Sequence, residues 1–304
     1  MRDEQLYNLF GEHKVEKTKI EVLYHYTSIS SFKSIIEKKE LWITRSDFLN
    51  DPEELSYFAN LVVKTIDSIR VTRSIPEEFL NPLYTNYLSY FQSVFPQNHY
   101  ILSLSKSLDS LSMWNYYGKN DGYCIGLNFK ELTETITFNR FNFHHGSVNY
   151  NVDEQISILD LELQSAYDYW VTSHNSDPSK IQSITDTLFD RWSMYALFFK
   201  HEGYQNEIEY RLVLTHRADF NVMYRTAYGV FTPYVVLPTK RVHLELERNP
   251  VDINDKFPLE SVTISPYIKH DQAERGLAEW LRKNNHPLDQ PNQMILPSSI
   301  PIRF

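Results

Sequence analysis

Two carboxylates at alternate positions carry the sharpest chemical signal in this chain. Glu207 and Glu209 open a run of strand-forming residues, and Arg211 continues the same predicted face at a spacing of two, with apolar side chains on the other face. Like charges this close repel each other unless a cation or a ligand compensates. Two interpretations stay open: a solvated face that Arg211 neutralises, or a carboxylate pair that acts on a ligand at the edge of a sheet.

His25 is the second candidate, within the aromatic and apolar run at residues 23–28. Tyr26 and Thr27 follow it directly, so a ring and two hydroxyls stand beside the imidazole. Such a set suits a ribose or another polyol, whose hydroxyls need paired donors and acceptors. A structural histidine that bonds the backbone is the alternative.

The polar turn at residues 50–54 carries groups whose simplest role is structural. Asn50 and Asp51 can cap the helix that follows, and Pro52 suits its first turn. Magnesium binding is an alternative, since carboxylates and a carbonyl suit that ion, although the spacing is not that of an EF-hand loop. We predict the cap, with Glu54 as a residue that also points towards a site.

Ser103 and Ser105 share one predicted strand face, and a short helix predicted after them carries Trp114 and Tyr117 on one side. Core packing is the first interpretation of the two aromatic rings, and stacking on an aromatic ligand is the second. No Gly-x-Ser-x-Gly, His-Glu-x-x-His or cysteine–histidine arrangement offers a competing chemistry.

Positioning these groups requires a folded core, which the composition allows. The chain has 304 residues, of which 42% are hydrophobic, with 21 Tyr and 18 Phe, so a disordered chain is excluded. The net charge of −9 argues against a broad nucleic-acid or anionic-membrane surface. One cysteine, Cys124, excludes an internal disulfide framework. Without an apolar leader or a spanning segment, we expect a soluble, cytoplasmic protein.

Periodicity along the chain predicts an α+β fold. Strands are predicted at residues 19–26, 41–44, 100–105, 122–129, 207–215, 230–237 and 261–264, with strand-like stretches at 138–143 and 147–150. Helices are predicted from residue 52 to about 70 and at about 76–93, 154–171, 178–201 and 271–284. Only eight glycines and no glycine-rich strand-to-helix loop disfavour Rossmann and P-loop folds. We expect a single domain over residues 1–304, with helical insertions at about 52–99 and 152–201.

Several of these segments together resemble one bacterial family, the domain of unknown function 2971. The matching segments follow one another in order over nearly the whole chain: Tyr24-His25-Tyr26-Thr27, Asn50-Asp51-Pro52 with Glu54, Ser103-Leu104-Ser105, Met113-Trp114 with Tyr117, residues 122–129, Lys200, Glu207, Glu209, Arg211 and residues 299–303. This family is largely uncharacterised, so the resemblance by itself implies little about function.

A wider resemblance implies more. His25-Tyr26-Thr27, followed by a capped helix that ends in Lys39-Glu40-Leu41, is similar to the opening of ADP-ribosyltransferases, in particular the DNA-modifying toxin branch. The resemblance implies a mixed, mainly antiparallel split sheet and NAD as the substrate. In that superfamily a first-strand His or Arg holds the adenosine-side ribose of NAD. A later strand-edge Glu bonds the nicotinamide ribose and stabilises the oxocarbenium-like transition state.

Carried onto this sequence, the resemblance gives His25 and Thr27 the role of anchoring NAD and Glu209 the catalytic role, with Glu207 as the first half of a Glu-x-Glu pair. Ser103-Leu104-Ser105 is similar to the Ser-x-Ser strand of the arginine-specific branch. Trp114 and Tyr117 are the candidates for stacking on nicotinamide. Asn50, Asp51, Glu54, Lys200 and Arg211 are candidates for supporting the site from behind the residues that touch the ligand.

Three functional hypotheses follow. The first is an NAD-dependent ADP-ribosyltransferase or NAD glycohydrolase that acts on an intracellular protein or nucleic acid, as a toxin or phage-defence effector with an antitoxin or other partner protein. The second is a non-enzymatic nucleotide-binding or regulatory module. The third is a metal-dependent nuclease using Asp51, Glu54, Glu207 and Glu209, whose spacing lacks the Glu-x-Lys pattern of many nucleases. Under the first hypothesis we expect neither a resident metal nor a membrane partner.

Overall fold

A computed structural model of the protein describes most of the chain. The described residues are 3–17, 19–49, 51, 53–73, 75–93, 99–118, 121–217, 220–227, 229–240, 257–284, 286 and 295–301. The chain forms two compact units. The helical unit comprises residues 1–17, 45–99 and 146–205, and the sheet unit comprises residues 18–44, 100–145 and 206–304.

Within the described residues the helices are α1 (Glu4–Leu9), α2 (Ile29–Lys38), α3 (Glu54–Thr72), α4 (Glu77–Ser93), α5 (Leu111–Met113), α6 (Phe129–Phe138), α7 (Val152–His174), α8 (Ile181–Ala196) and α9 (His270–Lys283). The strands are β1 (Val22–Ser28), β2 (Glu40–Arg45), β3 (His99–Ser105), β4 (Gly122–Asn128), β5 (Phe143–Ser147), β6 (Glu209–Thr215), β7 (Met223–Ala227), β8 (Val230–Pro238), β9 (Leu259–Ile264) and β10 (Ile295–Pro297). A 3-10 turn at Glu202–Glu207 precedes β6, and a π-helical turn follows α5 at Trp114–Gly118. None of the helices in this part of the chain is both long and apolar enough to cross a membrane.

The helical unit is held by capped helices and one buried ion pair. Asn151 begins α7 by accepting hydrogen bonds from the backbone amides of residues 153 and 154. Arg191 on α8 donates to Glu162 on α7 at 2.8 Å and to the Gly11 carbonyl at 2.7 Å, which fixes the N-terminal segment. Both predicted helical insertions lie within the ranges of this unit. The single-domain assignment stays a prediction.

The sheet unit is built on a ten-stranded sheet with the order β10-β9-β4-β1-β3-β2-β8-β7, from which β6 branches by pairing with β3 and β5. The β1/β3, β1/β4, β2/β8, β4/β9 and β7/β8 pairs are antiparallel, and β10/β9 is parallel. The predicted α+β class with a mixed, mainly antiparallel sheet is confirmed at this level.

Strand alternation decides which side chains share a face of the sheet. One face carries the main core cluster, which includes Leu23, Leu102, Leu104, Ile125, Tyr210 and Leu212. His25 pairs with Ile125 in register, so it lies on this core side. Tyr24 pairs with Ser105, and Tyr26 with Cys124, on the side away from the core. Because Tyr210 faces the core, Glu209 also lies on the side away from it.

Several strand predictions differ from the structure, and the stretch predicted at 147–150 holds only the last residue of β5. The strand predicted at residues 207–215 begins at Glu209, because Ile208 has φ 44° and interrupts the extended backbone after Glu207. The strand-like stretch predicted at 138–143 is instead the end of α6 and the loop after it. Asn128 caps α6 by accepting from the Glu131 amide, and the helix buries its apolar side in the core, which overrides the local strand propensity.

Candidate functional site

The backbone just before β6 is strained and firmly held. Ile208 adopts φ 44°, a left-handed conformation that is a genuine outlier for a β-branched side chain and costs on the order of 1–3 kcal/mol. Two hydrogen bonds from the end of β3 fix this turn. The Lys106 amide donates to the Ile208 carbonyl at 3.0 Å, and the Ser105 hydroxyl donates to the Glu207 carbonyl at 2.7 Å. Strain of this kind persists where surrounding contacts impose it, and it clusters at functional sites.

The turn separates the two carboxylates into different environments. Arg211 donates to both oxygens of Glu209, at 2.8 and 3.0 Å, and both side chains are buried. Glu207 is also buried, and its Oε1 accepts a hydrogen bond from the Tyr117 hydroxyl at 3.2 Å. The solvated-face interpretation is therefore wrong for both residues. Arg211 forms an ion pair with Glu209, and the Tyr117 hydroxyl donates to Glu207.

An aromatic cluster lies beside Glu207. Tyr26, Met113, Trp114 and Cys124 form its buried centre, and Tyr117 packs at its margin. Trp114 is fully buried and meets the Tyr26 ring edge-on at 4.8 Å, so it presents no ring face to a ligand. This burial corrects the prediction of Trp114 as a stacking residue and leaves Tyr117 as the candidate.

Asp109 fixes the turn that carries these rings. Its Oδ1 accepts from the Trp114 indole at 2.8 Å and from the Ser298 hydroxyl at 2.7 Å. Its Oδ2 accepts from the Ser299 amide at 2.7 Å and the Ser299 hydroxyl at 2.9 Å. Burial acts to raise the pKa of the Asp109 carboxyl, but these hydrogen bonds outweigh burial and lower it. Sequence reasoning missed this residue, because its partners lie far apart in the chain.

The predicted ribose-binding set is divided by the sheet. His25 lies on the core side, opposite to Tyr26 and Glu209. Burial lowers the pKa of His25; a hydrogen bond to the Ser103 backbone opposes this shift, and the charge of Arg225 adds to it. The Tyr26 hydroxyl donates to the Ser107 carbonyl at 2.9 Å and accepts from the Ser110 amide at 3.0 Å. Burial raises the pKa of that hydroxyl, which fits a structural role.

The remaining members of the predicted set have distinct environments. Thr27 is buried next to His25 in β1. Ser103 and Ser105 share the side away from the core, as predicted, but Ser103 is exposed and Ser105 is buried against the Glu207 carbonyl. The structure therefore brings Ser105, Tyr117 and Glu207 together and sets His25 apart from them.

Three supporting candidates lie in the helical unit. The Asp51 carboxylate accepts a hydrogen bond from the Glu53 amide at 3.0 Å and so forms a turn before α3. The N-cap position of α3 is occupied by Glu53 and not, as predicted, by Asp51. Glu54 is buried in the first turn of α3. Lys200 is buried, with its ammonium 4.7 Å from the Tyr204 ring centroid. Asn50 and Pro52 lie outside the described residues.

Among the residues that the structure describes, no group of three or more His, Cys, Asp or Glu side chains is arranged to hold a metal ion.

The fold and the site define an α+β protein with a buried carboxylate and an aromatic cluster on one side of a mainly antiparallel sheet. Residues 113–212 match the model of a family described as protein of unknown function (DUF2971). The match supports the family resemblance and contains Trp114, Tyr117, Glu207, Glu209 and Arg211. No curated protein and no solved structure matches the chain.

Proposed function

We propose that the protein is an ADP-ribosyltransferase-like enzyme that breaks the glycosidic bond of NAD and transfers ADP-ribose to an intracellular macromolecule or to water. The observation that carries the proposal is the strained Glu207-Ile208 turn, which holds a buried carboxylate against Tyr117. A π-helical turn, which itself is frequent at functional sites, supplies that tyrosine. In this proposal the sheet is of the ADP-ribosyltransferase type.

The catalytic role moves from Glu209 to Glu207. Arg211 engages both oxygens of Glu209 in a charge-assisted fork, the strongest kind of hydrogen-bonded pair. A ligand hydroxyl that displaced Arg211 would leave a buried guanidinium without its carboxylate, which is strongly unfavourable. Displacing the neutral Tyr117 hydroxyl from Glu207 costs less. Glu209 therefore acts as a positioning residue that, with Arg211, anchors the start of β6.

The chemistry requires one carboxylate and one stacking ring. When the bond between the ribose carbon and nicotinamide breaks, the bonding electron pair stays on the nicotinamide nitrogen, which loses its positive charge. The Glu207 carboxylate stabilises the positive charge that develops on the ribose, and the Tyr117 ring stacks on the departing nicotinamide. The acceptor hydroxyl, or water, then bonds the ribose carbon and its proton passes to Glu207.

Nicotinamide release and NAD affinity, measured on the full chain, test this proposal. Glu207→Gln keeps the size of the side chain and an oxygen that can accept from Tyr117, but it removes the charge. We expect it to lower nicotinamide release by at least about 100-fold while NAD affinity changes by less than about tenfold. Glu279→Gln, on the exposed side of α9, is the matched control and should behave as wild type.

Two results contradict the proposal. If the wild-type protein neither binds NAD or ADP-ribose nor releases nicotinamide, NAD is not its substrate. If it binds NAD without turnover and Glu207→Gln binds equally well, the protein is a nucleotide-binding module. Glu209→Gln is less informative, because it leaves the buried Arg211 without its partner and destabilises the fold by about 3–5 kcal/mol.

A further inference from the structure

Arg225 on β7 is half-buried, and one of its guanidinium N–H groups is enclosed without a hydrogen-bond partner among the described residues. Its Nη2 donates to the Thr44 hydroxyl on β2 at 3.0 Å. Its Nε is enclosed by protein and has no hydrogen-bond partner among the described residues. None of the carboxylates among the described residues forms an ion pair with Arg225. One of five N–H donors is therefore matched, by a neutral acceptor.

Two arginines that are fully buried, Arg191 and Arg211, have different surroundings from the half-buried Arg225. Arg211 forms a fork with Glu209, and Arg191 pairs with Glu162 and donates to backbone carbonyls as well. Enclosing part of a charged group without a counter-charge is unfavourable, and a bound anion would remove that penalty. Burial is also the main reason that the pKa of Arg225 is lowered.

The surroundings of Arg225 favour an anion. Register places Arg225 on the side of the sheet away from the core, with Thr44 and Tyr234 on neighbouring strands. The Thr44 oxygen accepts from Arg225, so its O–H remains a donor for a ligand. Trp42 stacks on Tyr234 at 4.4 Å, and the Lys38 ammonium lies 5.9 Å from the Trp42 ring centroid. Two cations and two aromatic rings therefore occupy this region.

We propose that Arg225 and Thr44 bind a phosphate group of a phosphorylated ligand. The planar fork of a guanidinium matches two phosphate oxygens, and the Thr44 hydroxyl supplies a further donor. The proposal goes beyond NAD chemistry, because it requires only the phosphate and holds for any ligand that carries one. If NAD is the ligand, its pyrophosphate is the part that this site binds.

Inorganic pyrophosphate is the probe, with succinate as a carboxylate comparison at equal ionic strength. Binding is measured by calorimetry and thermal unfolding on the full chain. We expect pyrophosphate to bind the wild-type protein and Arg225→Gln to weaken that binding at least about tenfold, the loss typical of a charged hydrogen bond. Arg225→Lys, which keeps the charge without the fork, should fall between the two. Arg282→Gln, an exposed charge on α9, is the matched control and should bind as wild type.

The ligand-free melting temperature separates a binding role from a structural one. Because the enclosed Nε has no acceptor when the site is empty, ligand-free Arg225→Gln should unfold at the same temperature as wild type or higher. A lower melting temperature with unchanged pyrophosphate affinity would overturn the proposal, as would equal binding of succinate or no binding of pyrophosphate by the wild-type protein. Since pyrophosphate lacks nicotinamide, loss of NAD turnover alone leaves this site intact, and the two proposals fail separately.

Discussion

Asp109→Asn should destabilise the sheet unit by about 2 kcal/mol. Each carboxylate oxygen accepts one N–H and one hydroxyl: Oδ1 from Trp114 and Ser298, and Oδ2 from the amide and hydroxyl of Ser299. In the variant one oxygen becomes an NH2 group. The serine hydroxyls can turn and accept from it, but the Trp114 indole and the Ser299 amide cannot. Whichever way the amide is oriented, one N–H loses its acceptor, at a cost of about 1–3 kcal/mol.

Thermal and urea unfolding measure this effect. For a unit of this size about 2 kcal/mol corresponds to roughly 4–8 °C in melting temperature. A double-mutant cycle with Ser299→Ala should show coupling, because both variants disrupt the same contacts. Asp121→Asn is the exposed control and should change stability by less than about 0.5 kcal/mol. If Asp109→Asn matches that control, Asp109 does not hold the aromatic turn and the C-terminal segment together.

Three further predictions concern single residues. The pKa of His25 is lower in the folded state than in the unfolded state, where it is near 6.5. The stability that the neutral His25 contributes is therefore complete above about pH 6.5 and is lost as the pH falls towards the folded pKa. His25→Gln should flatten the dependence of stability on pH in that range by up to about 1.4 kcal/mol per pH unit, and an unchanged profile would refute this. Gly118→Ala should lower the free energy of unfolding, measured by urea titration, by about 1–3 kcal/mol, because the added Cβ would lie 2.6 Å from Trp114 Cε3. An unchanged free energy of unfolding would mean that the Trp114 ring moves aside at little cost. Ile208→Asn should raise the free energy of unfolding by about 1 kcal/mol, since asparagine tolerates a φ of 44° and the isoleucine is 43% exposed. A destabilised variant would show that packing of the Ile208 side chain contributes more to stability than the backbone strain costs.

Most of the fold follows from signals that are local in sequence. The 3.6-residue spacing of apolar side chains predicts α7 and α8, and Ser28 caps α2 by accepting from the Ser31 amide. The central strands are rich in β-branched and aromatic residues and also lie where predicted. These elements satisfy propensity and burial at once, so a single sequence is sufficient to place them.

The errors arise where tertiary contacts override a local pattern. Glu207, Ile208 and Glu209 alternate as a strand would, yet hydrogen bonds from Ser105 and Lys106 hold Ile208 at positive φ. No propensity of isoleucine indicates that conformation, because the residue disfavours it. Ile208, which separates the two carboxylates, is therefore where the structure departs from the alternating pattern.

The candidate site was predictable in composition and not in arrangement. Glu207, Tyr117 and Ser105 were all in the predicted set, and the structure brings them together. The distinction between Glu207 and Glu209 depends on which of them Arg211 contacts. Glu209 lies two residues from Glu207 on one side and two residues from Arg211 on the other, so the spacing alone does not show whether Arg211 contacts one carboxylate or both. Asp109 could not be found, because its partners are five and about 190 residues away.

Two features of the sheet unit are unfavourable for stability: the strained backbone at Ile208 and the enclosed Nε of Arg225. Ile208 keeps a conformation that asparagine or glycine would adopt with less strain, and Arg225 has an enclosed Nε that lacks a hydrogen-bond partner among the described residues. The buried Glu209–Arg211 pair of the same unit is matched by comparison. Selection for stability alone would remove both exceptions by single substitutions, because neither residue is required by the strand pattern around it. The two proposals above account for both exceptions, since the proposed ligand needs a fixed carboxylate at one position and a positive charge at another.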